Sequence, residues 1–143
     1  MRLKTTLSTL ATVTAVSAAG LLGLSATPAA AAGVDFEYGR NSQAAEIDAW
    51  KDNRMRASQT WQIDPLGDGS KGDTLCVKDH WKEGWYVVAT TSKGHRASTK
   101  GHTAGYTKCV TKNVAEGKKF TMRMTLVGSN GGTIKSANYT IHG

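Results

Sequence analysis

Apolar and polar residues alternate along several stretches of the chain, which is the pattern of β-strands with one buried face. The clearest stretch is residues 119–126, where every second residue is apolar: Phe120, Met122, Met124 and Leu126. Residues 54–64 repeat this pattern with Met55, Ala57, Trp61 and Ile63 on one face. Pro65 follows and ends that strand, because proline has no N–H for the ladder.

Further strands are predicted at residues 34–38, 74–80, 85–91, 106–110 and 134–142. The strand at 106–110 is expected to bring Cys109 to the core. Residues 42–53 favour a strand, with a short helix capped by Ser42 as the alternative. Turn signals every 8–12 residues or so separate about seven or eight strands. The sequence therefore predicts an all-β fold, a single antiparallel Greek-key-like β-sandwich.

The first 32 residues have the design of a secretory signal peptide. Arg2 and Lys4 precede an uncharged stretch, and an Ala-x-Ala site ends at Ala32. We expect cleavage there, export from the cell and no membrane anchor. Residues 33–143 then form one secreted domain.

Cys76 and Cys109 are the two cysteines of the chain. In an oxidising compartment they allow one pairing, so we predict a Cys76–Cys109 disulfide. Closing a loop of about 34 residues would stabilise the fold by roughly 3–4 kcal/mol. Two buried free thiols are the alternative.

Basic residues are concentrated in the C-terminal half. The whole chain carries +7, and loss of Arg2 and Lys4 leaves +5. Residues 34–73 contain eight acids and five bases, whereas residues 74–143 contain eleven bases and three acids. This asymmetry suggests a basic surface that attracts a polyanion.

A repeat within "SKGHRASTKGH", residues 92–102, supplies the candidate binding site. Lys-Gly-His occurs at 93–95 and again at 100–102, which we interpret as two flexible basic fingers on one loop. The candidate polyanion contacts are Lys93, His95, Arg96, Lys100, His102 and Lys108. Because histidine gains charge below about pH 6.5, we expect tighter binding at pH 5.5 than at pH 7.5. No HExxH or CxxC motif supports a metal site, and no cofactor is expected.

The four tryptophans are expected in two kinds of location. Trp61 and Trp85 lie on predicted strand faces and are expected in the core. Trp50 and Trp81 lie near polar turns, where an exposed ring can contact a sugar or a cation. Their alternative place is the rim of the sandwich, partly buried.

Two other functions remain open. A small secreted nuclease would use Glu83 or Glu116 with His95 or His102 as base and acid, beside Arg96. The spacing does not put such a set on one strand face. A protease inhibitor or toxin would present residues 92–105 as a rigid loop, with the basic residues facing a trypsin-like pocket.

Four short motifs carry a resemblance: GDTLCVKD at 72–79, EGW at 83–85, ASTKGH at 97–102 and EGKKFTM at 116–122. With them the chain resembles a loose group of small secreted actinomycete β-sandwich proteins without assigned function. The resemblance implies a secreted protein in a Gram-positive setting and transfers no functional residue. We therefore expect a monomeric, non-catalytic binding or accessory protein for an anionic cell-wall polymer or glycan.

Overall fold

The computed structural model describes residues 33–41, 43–63, 72–82 and 84–142. Within these residues the chain forms nine strands and no helix. The strands are β1 (Asp35–Arg40), β2 (Ala44–Lys51), β3 (Arg54–Gln62), β4 (Thr74–Asp79), β5 (Trp85–Thr91), β6 (Arg96–Ser98), β7 (Thr107–Thr111), β8 (Lys119–Gly128) and β9 (Thr133–His142). The predicted all-β class is confirmed.

The strands pair into two antiparallel sheets. Sheet A has the order β1-β2-β3-β4-β7, and sheet B has the order β6-β5-β8-β9. The chain crosses between the sheets after β4, after β6 and after β7, so that β7 lies beside β4 and β8 lies beside β5. These crossings give the predicted sandwich with Greek-key-like connections.

The core forms where the inward-facing residues of the two sheets meet. On β3 the inward residues are Ala57, Gln59 and Trp61, each fully buried. On β8 they include Met122 and Met124, also fully buried. The prediction that Trp61 and Trp85 are core residues is confirmed, with 0% and 8% of their surfaces exposed.

Residues 44–51 form strand β2, so the helix alternative for this segment is wrong. The strand pairs with β1 on one side and β3 on the other, which places Ile47 between Tyr38 and Gln59. Ile47 is fully buried. Pairing on both sides satisfies the backbone N–H and C=O groups of β2 with those of β1 and β3.

The predicted disulfide joins Cys76 and Cys109, with an S–S distance of 2.05 Å. The two residues lie directly opposite each other on β4 and β7. Cys109 is exposed, so the expectation that β7 brings it to the core is wrong. The reason is register: Leu75 and Val110 face the core, which leaves the neighbouring cysteines on the outer face of sheet A.

The edge strands β1 and β9 approach each other along one side of the sandwich. Lys135 donates a hydrogen bond to the carbonyl oxygen of Val34, and its ammonium lies 5.5 Å from the ring centroid of Phe36. The rings of Tyr38 and Tyr139 lie 5.3 Å apart. An inward-pointing lysine on an edge strand hinders pairing with a further strand.

Several expectations concern residues outside the described ranges: the signal peptide at 1–32, Ser42 as a helix cap, Pro65 as the end of a strand and Glu83 as a nuclease residue. Among the described residues, no helix has the length and apolar character needed to cross a membrane.

Candidate functional site

The Lys-Gly-His repeat encodes two turns. Gly94 and Gly101 adopt φ angles of +87° and +81°, a backbone region that favours glycine. The amide of Gly94 bonds to the carbonyl of Thr91, and the amide of His102 bonds to that of Thr99. The two turns flank β6, which is paired with β5. The interpretation as two flexible fingers on one loop is therefore wrong.

His95 is buried, with 2% of its surface exposed, and cannot contact a polymer. Its Nε2 lies 2.8 Å from the carbonyl oxygen of Lys112, and its Nδ1 lies 3.0 Å from Thr91 Oγ1. Because a carbonyl only accepts, Nε2 donates, and Nδ1 accepts from the Thr91 hydroxyl. The centroid of the imidazole ring also lies 4.9 Å from that of the Trp61 ring, in a T-shaped arrangement. The prediction that His95 is a surface contact is wrong, since its partners hold it between the sheets.

Three other candidates are exposed but lie outside the strands of sheet B. Lys93 belongs to the first turn, and its carbonyl accepts a hydrogen bond from Lys112 Nζ. His102 stacks on Tyr106 with ring centroids 3.6 Å apart. Lys108 lies on β7, the edge strand of sheet A. The predicted candidates are thus distributed over both sheets.

A different set of cations meets on the outer face of sheet B. Thr90 on β5 pairs with Arg96 on β6 and with Arg123 on β8, so the two arginines occupy one row across the sheet. Their backbones are two strand spacings apart, about 10 Å. Arg123 also donates to Ser136 Oγ on β9 at 3.4 Å. Both arginines are exposed and line the same hollow as Thr90.

A shallow hollow of about 350 Å³ lies beside this row. Its lining residues are Tyr86, Val88, Thr90, Arg96, Arg123, Thr125, Val127, Gly131 and Thr133. Val88 and Val127 form the floor, at 6% and 7% exposure. At the other end the Lys100 ammonium lies 5.6 Å from the centroid of the Tyr86 ring. We call this set of lining residues, together with Lys100, the basic face.

The four strands of sheet B contain no aspartate or glutamate. No carboxylate from these strands therefore neutralises Arg96 or Arg123. Cations in such surroundings add their potentials and raise the local concentration of anions. The basic face is built to attract negative charge.

Sequence reasoning identified Arg96 and Lys100 but missed Arg123 and Tyr86. A usable signal was present, because Arg123 is an outward position of the most regular strand. What the pattern could not supply was the pairing that places Arg123 across Thr90 from Arg96.

The two candidate tryptophans lie away from the basic face. Trp50 is half-buried on β2 and lines a hollow together with Asp35 and Glu37. The two carboxylates would repel a polyanion that approached this ring. Trp81 is 44% exposed, and the guanidinium carbons of Arg54 and Arg56 lie 5.2 and 5.3 Å from its ring centroid. Its open surface is therefore bordered by two cations.

Acidic side chains gather on the outer face of sheet A. Asp48 on β2 lies opposite Glu37 on β1, and Glu46 is two residues away on the same strand. The pKa of Asp48 is raised to about 7, chiefly by burial and then by the charge of Glu46, a hydrogen bond to Glu46 and the charge of Glu37. These carboxylates repel anions locally, whereas the basic face attracts them.

Ser58 and His80 form a hydrogen-bonded pair on the same face, with Oγ 3.0 Å from Nε2. Burial, and then the charge of Lys78, lower the pKa of His80. A serine nucleophile also requires a third group that orients the imidazole. Within the described residues no side chain binds the other ring nitrogen of His80, and we treat the pair as a structural contact between β3 and the end of β4.

Of the residues suggested for a nuclease, Glu83 lies outside the described ranges. His95 is buried, and Glu116 is exposed in the connection between β7 and β8. The inhibitor hypothesis places Arg96 in a presented loop, whereas Arg96 lies in strand β6 and pairs with Thr90 of β5. In the described part of the chain, no group of three or more His, Cys, Asp or Glu side chains could hold a metal ion.

Comparison with protein-family models, with curated proteins and with solved structures finds no match to this chain.

Proposed function

We propose that the protein is an exported, monomeric, non-catalytic binding protein that holds an anionic polymer of the cell wall or its surroundings. The observation that carries this proposal is the basic face, where Arg96, Arg123 and Lys100 surround a hollow in a sheet whose strands contain no acid. The Cys76–Cys109 disulfide supports export, because such bonds persist in oxidising compartments.

Charge and shape both favour a polymer over a small ion. The hollow is shallow and open along the strands, so it would bury little of a compact ligand. A polymer lying across it would contact several cations together. Binding would then depend steeply on salt, because each neutralised anion releases a counterion.

The site differs from the one that the repeat suggested. Arg96 and Lys100 remain, Arg123 and Tyr86 are added, and His95 is removed because it is buried. Arginine and lysine do not titrate between pH 5.5 and 7.5. We therefore expect equal binding at the two pH values, in place of the tighter binding at pH 5.5 that two exposed histidines would give.

The test is retention of the purified protein on heparin and on Gram-positive cell walls across a sodium chloride series. The double variant Arg96→Gln/Arg123→Gln should elute at clearly lower salt, with the log–log salt slope reduced by roughly 2. The matched control is Lys82→Gln/Lys108→Gln, which removes two exposed lysines that lie outside sheet B. Equal losses for the two double variants would show that net charge, and no particular face, governs binding.

A further inference from the structure

The cations of the basic face are spaced in a way that restricts the kind of polymer they fit. Arg96 and Arg123 flank Thr90, whereas Lys100 lies over Tyr86. Thr90 and Tyr86 are four residues apart on β5, so the two cationic positions are about 13 Å apart along the strand. None of the described residues that line the hollow between them carries a charge.

The intervening surface is apolar with hydroxyl groups beside it. Val88 pairs with Thr125 of β8 and with Ser98 of β6, and Tyr86 pairs with Val127. A ligand here meets two valine side chains, an aromatic ring and hydroxyls. Sugars match such a surface, because their C–H faces pack on apolar and aromatic groups while their hydroxyls bond to polar neighbours.

Resting on the proposed function, we infer that the ligand is an acidic polysaccharide in which charged and neutral sugars alternate. One carboxylate would lie between Arg96 and Arg123, and the next would approach Lys100. A neutral sugar would cover Val88, between the two cationic positions and next to the Tyr86 ring. A polymer with an anion on every unit would instead place charge over the valines, and this position offers that charge no cation.

The inference is tested by comparing three polymers of matched length at fixed salt, using calorimetry or retention. Hyaluronan alternates acidic and neutral sugars, polygalacturonate is acidic at every sugar, and polyphosphate contains no sugar. The wild-type protein should bind hyaluronan roughly tenfold more tightly than either of the others. Tyr86→Leu should reduce hyaluronan binding severalfold and polyphosphate binding to a smaller extent.

A gain-of-function variant keeps the test informative. Thr125→Lys places a cation in the uncharged middle of the hollow, at a position that is only half-buried. It should strengthen binding to polygalacturonate and polyphosphate and should not strengthen binding to hyaluronan. Thermal unfolding of each variant confirms that the fold is retained.

The possible failures are distinguishable. Equal affinity of the wild-type protein for all three polymers, lost in Arg96→Gln/Arg123→Gln, would overturn the inference and leave the proposed function standing. Weak binding to all three, insensitive to that double variant, would overturn both.

Discussion

At the residue scale, the two histidines of the repeat show how little a motif says about burial. His95 bonds through both ring nitrogens and lies in the core, whereas His102 stacks on Tyr106 at the surface. The local sequence around them is almost the same. The partner that buries His95 is the carbonyl of Lys112, which comes from the connection between β7 and β8.

This difference predicts unequal costs of substitution. His95→Ala leaves a cavity beside Trp61 and an unpaired carbonyl, so it should lower the free energy of unfolding by roughly 2–4 kcal/mol. His102→Ala is the matched control and should change it by less than about 1 kcal/mol. Urea denaturation of both variants measures the difference. Similar small losses in both would contradict the structural role assigned to His95.

Gln59 is the inward residue that the strand pattern did not reveal. It occupies an inward position of β3, is fully buried, and its side-chain amide finds no hydrogen-bond partner among the described residues. Alternation places a side chain on a face but assigns polar residues to the outer one. Burial of Gln59 depends on Ile47 and Val77 on the neighbouring strands, which the local sequence does not specify.

At the element scale, the sequence predicted the strands but gave no assignment of strands to sheets. Alternation predicted strands at 54–64 and 119–126, which correspond to β3 and β8. Which strands become neighbours depends on contacts distant in sequence. For that reason the row of Arg96, Thr90 and Arg123 could not be predicted, although the sequence contains each of these residues in or beside a predicted strand.

The disulfide is the covalent link between elements, and it joins β4 and β7 within sheet A. The cysteines are 33 residues apart, so the bond restricts the unfolded chain considerably. Cys76→Ala/Cys109→Ala should lower the free energy of unfolding by roughly 3–4 kcal/mol, as measured in urea without reductant.

Because neither cysteine belongs to sheet B, the same variant should retain wild-type elution from heparin wherever it is folded. Early elution of the folded variant would show that the bond supports the basic face directly. A loss of stability below about 1 kcal/mol would mean that the link scarcely restricts the unfolded chain.

At the scale of the whole molecule, the acidic residues of the strands all lie in sheet A. The strands of sheet B contain no acid, whereas Glu37, Glu46 and Asp48 lie together on the outer face of sheet A. Burial, and after it the neighbouring Glu46 and Glu37, raise the pKa of Asp48 from 3.8 to about 7.

The raised pKa makes the stability of the whole fold depend on pH. Between about pH 4 and 7 the folded protein retains a proton on Asp48 that the unfolded chain has released. The contribution of Asp48 to stability therefore falls as pH rises through this window. Asp48→Asn should remove that contribution, so the variant should gain stability over the wild type progressively from pH 4 to pH 7.5.

Thermal unfolding across that range measures the effect, with Asp35→Asn as the control for removal of an exposed carboxylate from the same strand pair. The lowered pKa of His80 acts in the opposite direction. Its contribution to stability is lost as the pH falls below the usual pKa of histidine. Comparing each variant with the wild type at the same pH cancels that contribution. A constant difference between Asp48→Asn and the wild type would contradict the assignment.

The position of the basic face on sheet B also determines the orientation of the bound molecule. A molecule held by the basic face would direct sheet A toward the medium, with the Cys76–Cys109 bond and the Trp81 ring on the open side. A surface coated with the protein would be a layer of molecules with a common orientation. Its disulfides would remain open to reductants and labelling reagents while the polymer beneath was covered.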